Sequence, residues 1–244
     1  MTSPSSAAAP RNRGTARIRS AVADVVERVF GTVDDIHAAA VRSCVGAAPH
    51  QRLTLDEAVG DLLHRPGELA VGVGLVVAPQ PDLDLPLRLQ WWQADAEDGR
   101  LRALEPDLKP TSLGYYDYTA AEWFDVPRRT GRRYVVGPYV DVHGTGRYLL
   151  TFTEPIVIGG RFLGVAGADV QVSRFEIHLM RVLGPSSFSF LLLNDEGRVV
   201  LSTSSTWLVG ELAPTDVDLS NPARKLPGVP WRLQVLEAAN LLKG

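Results

Sequence analysis

The sequence predicts an α+β fold: one long amphipathic helix, then two modules built on antiparallel sheets. Three observations predict it. Apolar residues recur at helical spacing from Ile18 to Ala40. From Leu69 the period changes to that of strands joined by short glycine turns. A helical stretch closed by Gly184-Pro185 then separates a larger group of strands from a smaller one.

The first helix rests on Ile18, Val22, Val25, Val29, Val33, Ile36 and Ala40, spaced three or four apart, with Gly31 a mild interruption. They form one narrow stripe. Such a stripe either packs along a sheet or pairs with a second copy of itself through a coiled-coil-like seam, which would make a homodimer. A second helix is expected from Thr54, where Thr54 and Glu57 have capping-box spacing and Leu55, Val59, Leu62 and Leu63 share a face. Pro66-Gly67 ends it.

Strands are expected at Ala70–Val77 and Leu87–Gln93, with Asp98-Gly99 turning the second into Leu101–Leu104. Tyr134–Val140, Arg147–Glu154, Pro155–Ile158 and Phe162–Val170 read as a meander with turns at His143-Gly144-Thr145-Gly146 and Gly159-Gly160. A helix from an Ser173 N-cap to Leu183 follows. Phe188–Asn194, Arg198–Ser202 and Trp231–Leu236 form the smaller sheet, the first two joined by the turn Asp195-Glu196-Gly197. The expected divisions are a disordered tail over 1–14, the long helix over 15–50, the larger module with its linking helix over 51–183, and the smaller module over 184–244.

Composition narrows the function. The chain has 244 residues, 45% hydrophobic and 22% charged, with a formal net charge of -3. A weakly acidic chain argues against nucleic-acid binding, which needs clustered cations. The tight group Arg128, Arg129, Arg132 and Arg133 reads as a solvated loop or as a phosphate-binding patch. Cys44 is the only cysteine, so no intramolecular disulfide forms. Met1–Gly14 lacks the apolar region of a signal peptide, and no stretch has the roughly 18–20 apolar residues of a membrane span. A soluble, cytoplasmic protein is expected. P-loop, GxSxG, HExxH and CxxC motifs are missing, and the five His residues lack metal-ligand spacing. Gly72-Val73-Gly74 lies inside a strand and reads as close backbone packing. Neither enzyme activity, nor a metal, nor a cofactor is expected.

The densest chemistry is the run Tyr115-Tyr116-Asp117-Tyr118-Thr119-Ala120-Ala121-Glu122-Trp123-Phe124. It is followed by Pro138-Tyr139-Val140-Asp141, Glu154-Pro155, and Gly164-Val165-Ala166-Gly167-Ala168-Asp169. In this order the set resembles the double Cache family of ligand-binding sensor domains, over roughly residues 15–236. The resemblance implies a long helix and two PAS-like modules, with a ligand held in the larger one. Carried across from the members that bind amino acids, the site is Tyr116, Trp123, Phe124, Tyr139, Asp141 and Asp169. Ala121 stands where those members have the Arg that helps hold a carboxylate.

The carboxylate half of the site is therefore weakened and the amine half intact. Asp141 and Asp169 offer charge-assisted acceptors to an ammonium, and the aromatic faces attract a cation. The expected ligand is an amine, biogenic or quaternary, and the signal passes to a separate partner such as a regulator or kinase. An amino-acid sensor is the alternative, and so is an interaction module with a vestigial pocket. In a purely structural reading Asp141 caps a turn and Asp169 caps the following helix.

Overall fold

The computed structural model describes residues 8–44, 53–79, 87–95, 98–109, 111–141, 148–184, 189–213, 221 and 224–236. The expected turn at 143–146, Pro185 and the first seven residues of the expected tail lie outside these. Helix α1 runs Ala8–Ser43. A 3-10 helix, Glu57–His64, leads to β1 (Ala70–Val77), β2 (Arg88–Ala94) and β3 (Leu101–Ala103). A short 3-10 turn, Tyr118–Ala120, precedes α2 (Glu122–Thr130). Then come β4 (Tyr134–Val140), β5 (Tyr148–Ile158), β6 (Arg161–Gln171) and α3 (Val172–Leu183). Strands β7 (Phe190–Leu193), β8 (Val199–Ser202) and β9 (Arg232–Val235) close the described chain. Two antiparallel sheets result, ordered β3-β2-β1-β6-β5-β4 and β8-β7-β9. They belong to two compact units, residues 28–171 and residues 1–27 with 172–244.

In the larger unit β1 sits between β2 and β6, and all eight of its residues are buried. Its near-continuous apolar sequence suits a strand covered on both faces. The glycines within it let neighbours approach. A Cβ on Gly74 would stand 2.2 Å from the Gln90 carbonyl oxygen, so close backbone packing is what these glycines provide. The α1 stripe covers one face of this sheet: Phe30 meets Phe152 of β5 edge to face, with ring centroids 5.3 Å apart. Val29, Val33, Ile36 and Ala40 are fully buried, and Thr32 donates to the Glu68 carboxylate at 2.9 Å. Ile18, Val22 and Val25 are buried in the smaller unit. The stripe is buried in the chain's own core, the first of the two packings expected for it.

In the smaller unit β7 is wholly buried and α3 packs beside β8 and Trp231. Phe175 of α3 meets Trp231 edge to face at 5.5 Å, and the Arg17 guanidinium donates to the Leu183 carbonyl at the end of α3. The Asp195-Glu196-Gly197 turn is held by Asn194, whose side-chain oxygen accepts from the Glu196 and Arg198 amides at 3.1 and 2.8 Å.

Several expectations shift in detail. Helix α1 begins at Ala8 rather than 15. Ala8 and Ala9 are strong helix formers, and Pro10 falls in the first turn, where a backbone N–H has no intrahelical partner. Asp56, not Thr54, caps the next helix, accepting from the Ala58 amide at 3.0 Å, while the Thr54 hydroxyl bonds Gln90. Ser173 lies inside α3, which starts directly from β6 at Val172. The two strands expected over 147–158 are one, β5. Pro155 is tolerated there because β4 pairs with β5 only as far as Thr153, leaving one edge without a ladder partner. The Arg group is divided: Arg128 and Arg129 are helical, while Arg132 and Arg133 lie in the connection between α2 and β4. Arg128 and Arg129 end α2 and both pair with Asp125, at 2.5 and 2.6 Å, and the Arg133 guanidinium lies 4.3 Å above the Phe30 ring.

Candidate functional site

The face of the large sheet turned away from α1 holds a cavity of about 280 Å³. Its floor comes from five strands. Asp169 of β6 pairs in register with Thr151 of β5 on one side and Gly72 of β1 on the other. Thr151 therefore stands beside the carboxylate as a cross-strand neighbour, and its hydroxyl donates to Asp169 Oδ1 at 2.7 Å. On the other side the missing side chain makes room: the Trp91 indole of β2 reaches across β1 and donates to Asp169 Oδ2 at 3.1 Å. A Cβ on Gly72 would sit 2.8 Å from that indole nitrogen and 3.1 Å from Asp169 Oδ2. Tyr139 of β4 adds a hydroxyl 2.7 Å from Thr151 Oγ1, and Asp141 follows just past the end of β4.

The aromatic run supplies a wall. Asp117 turns the chain into the 3-10 segment by accepting from the Thr119 amide and hydroxyl, at 2.9 and 2.6 Å. That turn sets the Tyr116 and Tyr118 rings edge to face, 4.3 Å apart, with Trp123 5.5 Å from Tyr118. The Thr153 hydroxyl, on the same side of β5 as Thr151, donates to the Trp123 carbonyl at 2.8 Å and fixes the start of α2 against the sheet. Apolar Val76, Leu89 and Leu104 complete the lining together with Glu105 and Pro106.

The field in this space is negative. Burial, then the Asp169 charge, hold the Tyr139 phenol well above its ordinary pKa, against the Thr151 hydrogen bond. Burial, then Asp141, raise Tyr116, and burial with Tyr116 and Asp141 raises Tyr118. All three phenols stay protonated near neutral pH. Among the described residues that line the cavity, none is Lys, Arg or His.

Five of the expected residues therefore meet: Tyr116, Trp123, Tyr139, Asp141 and Asp169. Asp169 caps no helix; it is a buried strand residue. Phe124 and Ala121 do not line the cavity. Successive helical residues point about 100° apart, so Phe124 turns behind the wall, 5.5 Å from Phe162, where it is fully buried. Ala121 is the N-cap of α2, its carbonyl accepting from the Phe124 and Asp125 amides at 2.9 and 2.8 Å. Trp91, Thr151 and Tyr118 line the site without having been singled out. The Trp91-Trp92 pair carries a partial signal, since adjacent strand residues face opposite sides.

Residues 96–176 match the family model described as methyl-accepting chemotaxis protein-like, first PDC sensor domain. That stretch contains the aromatic run and β4 to β6. The matched family is a sensor domain and not an enzyme class. Over 93 residues the chain is 29% identical to the methyl-accepting chemotaxis protein TlpQ of Pseudomonas aeruginosa, covering 36% of this chain and 13% of that protein. The solved methyl-accepting chemotaxis protein X superposes with a TM-score of 0.61 at 19% identity, over 92% of this chain and 96% of that one. The ligand-binding domain of the Pseudomonas fluorescens chemoreceptor CtaA, solved with L-serine, gives 0.50 at 17% identity, over 88% and 91%. The first of these structures shows the expected fold, a long helix followed by PAS-like antiparallel modules.

Proposed function

We propose that this chain is a small-molecule sensor that binds an amine-bearing ligand in the cavity of the larger unit and reports its occupancy to a signalling partner, a regulator or a kinase. One observation carries the reading: the carboxylates of Asp141, Asp169 and Glu105 and an aromatic wall share a cavity whose described lining holds no basic side chain. Gathering Asp141 and Asp169 in partly dry surroundings is costly until a cation joins them. A ligand ammonium offsets that cost through charge-assisted hydrogen bonds, and the faces of Trp123 and Tyr118 add about 0.5–2 kcal/mol of cation–π attraction.

An amino-acid ligand is the second reading, favoured by the likeness to a chemoreceptor domain solved with L-serine. It requires a partner for the carboxylate, and Ala121 provides none. A thermal-shift panel of amines and amino acids separates the two. Saturation at a hundredfold excess over Kd adds about 2.7 kcal/mol to the stability of the folded state. We expect a rise of several degrees with amines, reduced at least tenfold in affinity by Asp141→Asn. A response to amino acids alone would favour the second reading, and no response to either would point to an interaction module with a vestigial pocket.

A further inference from the structure

We infer that the Tyr139–Thr151–Asp169 corner of the cavity accepts hydrogen bonds without donating any, so that it takes an ammonium bearing N–H groups in preference to a quaternary one, and that Thr151 is the specificity-determining residue that sets this direction. This rests on the amine-binding reading above and narrows it.

At this corner the protons are few enough to follow one by one. Thr151 has a single hydroxyl proton and gives it to Asp169 Oδ1 at 2.7 Å. Toward Tyr139, 2.7 Å away, Thr151 Oγ1 is left only as an acceptor, so the Tyr139 proton goes there. The single donor of Trp91 is spent on Asp169 Oδ2 at 3.1 Å. What Tyr139 then presents to the cavity is oxygen lone pairs, next to the carboxylates of Asp169 and Asp141.

Acceptors this deeply placed are costly to leave unmatched when a ligand displaces water. Asp169 is 6% exposed and Thr151 3%. A primary ammonium brings three donors to them. A quaternary ammonium carries the same charge and suits the aromatic wall equally well, but has no N–H to offer and places methyl groups against the oxygens.

The test is calorimetric titration of the whole chain with primary ammonium ions of two to eight carbons, each paired with its N-trimethylated counterpart. Wild type should bind the primary member at least about tenfold more tightly, the scale of one charge-assisted hydrogen bond. In Thr151→Val the Tyr139 proton loses its acceptor and turns toward the cavity, so the primary-to-quaternary ratio should fall toward one. Thr151→Ser should restore it. Should the valine variant fail to fold, Tyr139→Phe removes the presented oxygen itself and should lower the ratio in the same way. A merely structural role would weaken both members equally and leave the ratio unchanged, which would overturn the assignment of Thr151. A trimethylated ion bound by wild type as tightly as its primary partner would overturn the inference and leave the amine reading standing. Binding of neither class would overturn both.

Discussion

Gly72 and Asp169 face each other across a β-ladder, and the whole polar end of the cavity depends on the side chain that Gly72 lacks. Gly72→Ala would place a methyl group 2.8 Å from the Trp91 indole nitrogen. The indole must move, its bond to Asp169 is lost, and the packed floor is strained. We expect a loss of about 1–3 kcal/mol in denaturant unfolding, together with a change in tryptophan fluorescence and weaker amine binding. An alanine variant with wild-type stability and emission would show that the indole is not held there. At this scale the sequence was partly legible. Tyr139, Asp141 and Asp169 sit in short recognisable strings that mark them as a set. Phe124 sits in such a string too, yet the helical step turns it into the core. Thr151 has no string of its own; only its register with Asp169 makes it part of the site.

Strand β5 presents different chemistry on its two faces. Thr151 and Thr153 face the cavity and α2, while Phe152 and Glu154 face α1. Glu154 there shares a hydrogen bond with Asp34 of α1, and its Oε2 is buried without a hydrogen-bond partner. Burial first, then the bond to Asp34 and its charge, raise the Glu154 carboxyl to about 7, with Arg133 opposing. His37, on the same helix, is lowered by burial against the pull of Asp34 and stays neutral near pH 7. The sign follows from linkage: a carboxyl raised in the folded state binds protons more tightly there than in the unfolded chain. Its stabilising effect is complete below the ordinary carboxyl range of about 4.5 and is lost as pH rises through about 7. The melting temperature should therefore fall between pH 5 and pH 8, and Glu154→Gln, which keeps a donor for Asp34 without the charge, should flatten that fall. An equal fall in both proteins would place the titrating group elsewhere. Element by element, β1 and β4 have the bounds that period and turns predict. Helix α2 does not announce itself: nine residues with Pro127 inside carry no long apolar stripe, and the helix is positioned by Thr153 and ended by Gly131 at a φ of 64°.

Across the whole molecule, the α1 stripe decides whether the chain needs a second copy to bury it. Within the chain the stripe is already covered, with Val33 fully buried. Val33→Asp would place a carboxylate in that core and should cost more than about 3 kcal/mol, by the same amount at every protein concentration. A loss that disappears at high concentration would instead reveal a subunit contact through α1. What the sequence determined by itself is what local physics controls. Helical period marks α1, alternation and glycine turns mark the strands, and tail-to-tail order marks two sheets in succession. What only the tertiary structure decided is which of those residues share a space. Trp91 and Asp169 are 78 positions apart, and they meet because β1 lies between β2 and β6 with a glycine at the crossing. Strand order and register are set by long-range pairing, so no periodicity along the chain carries them.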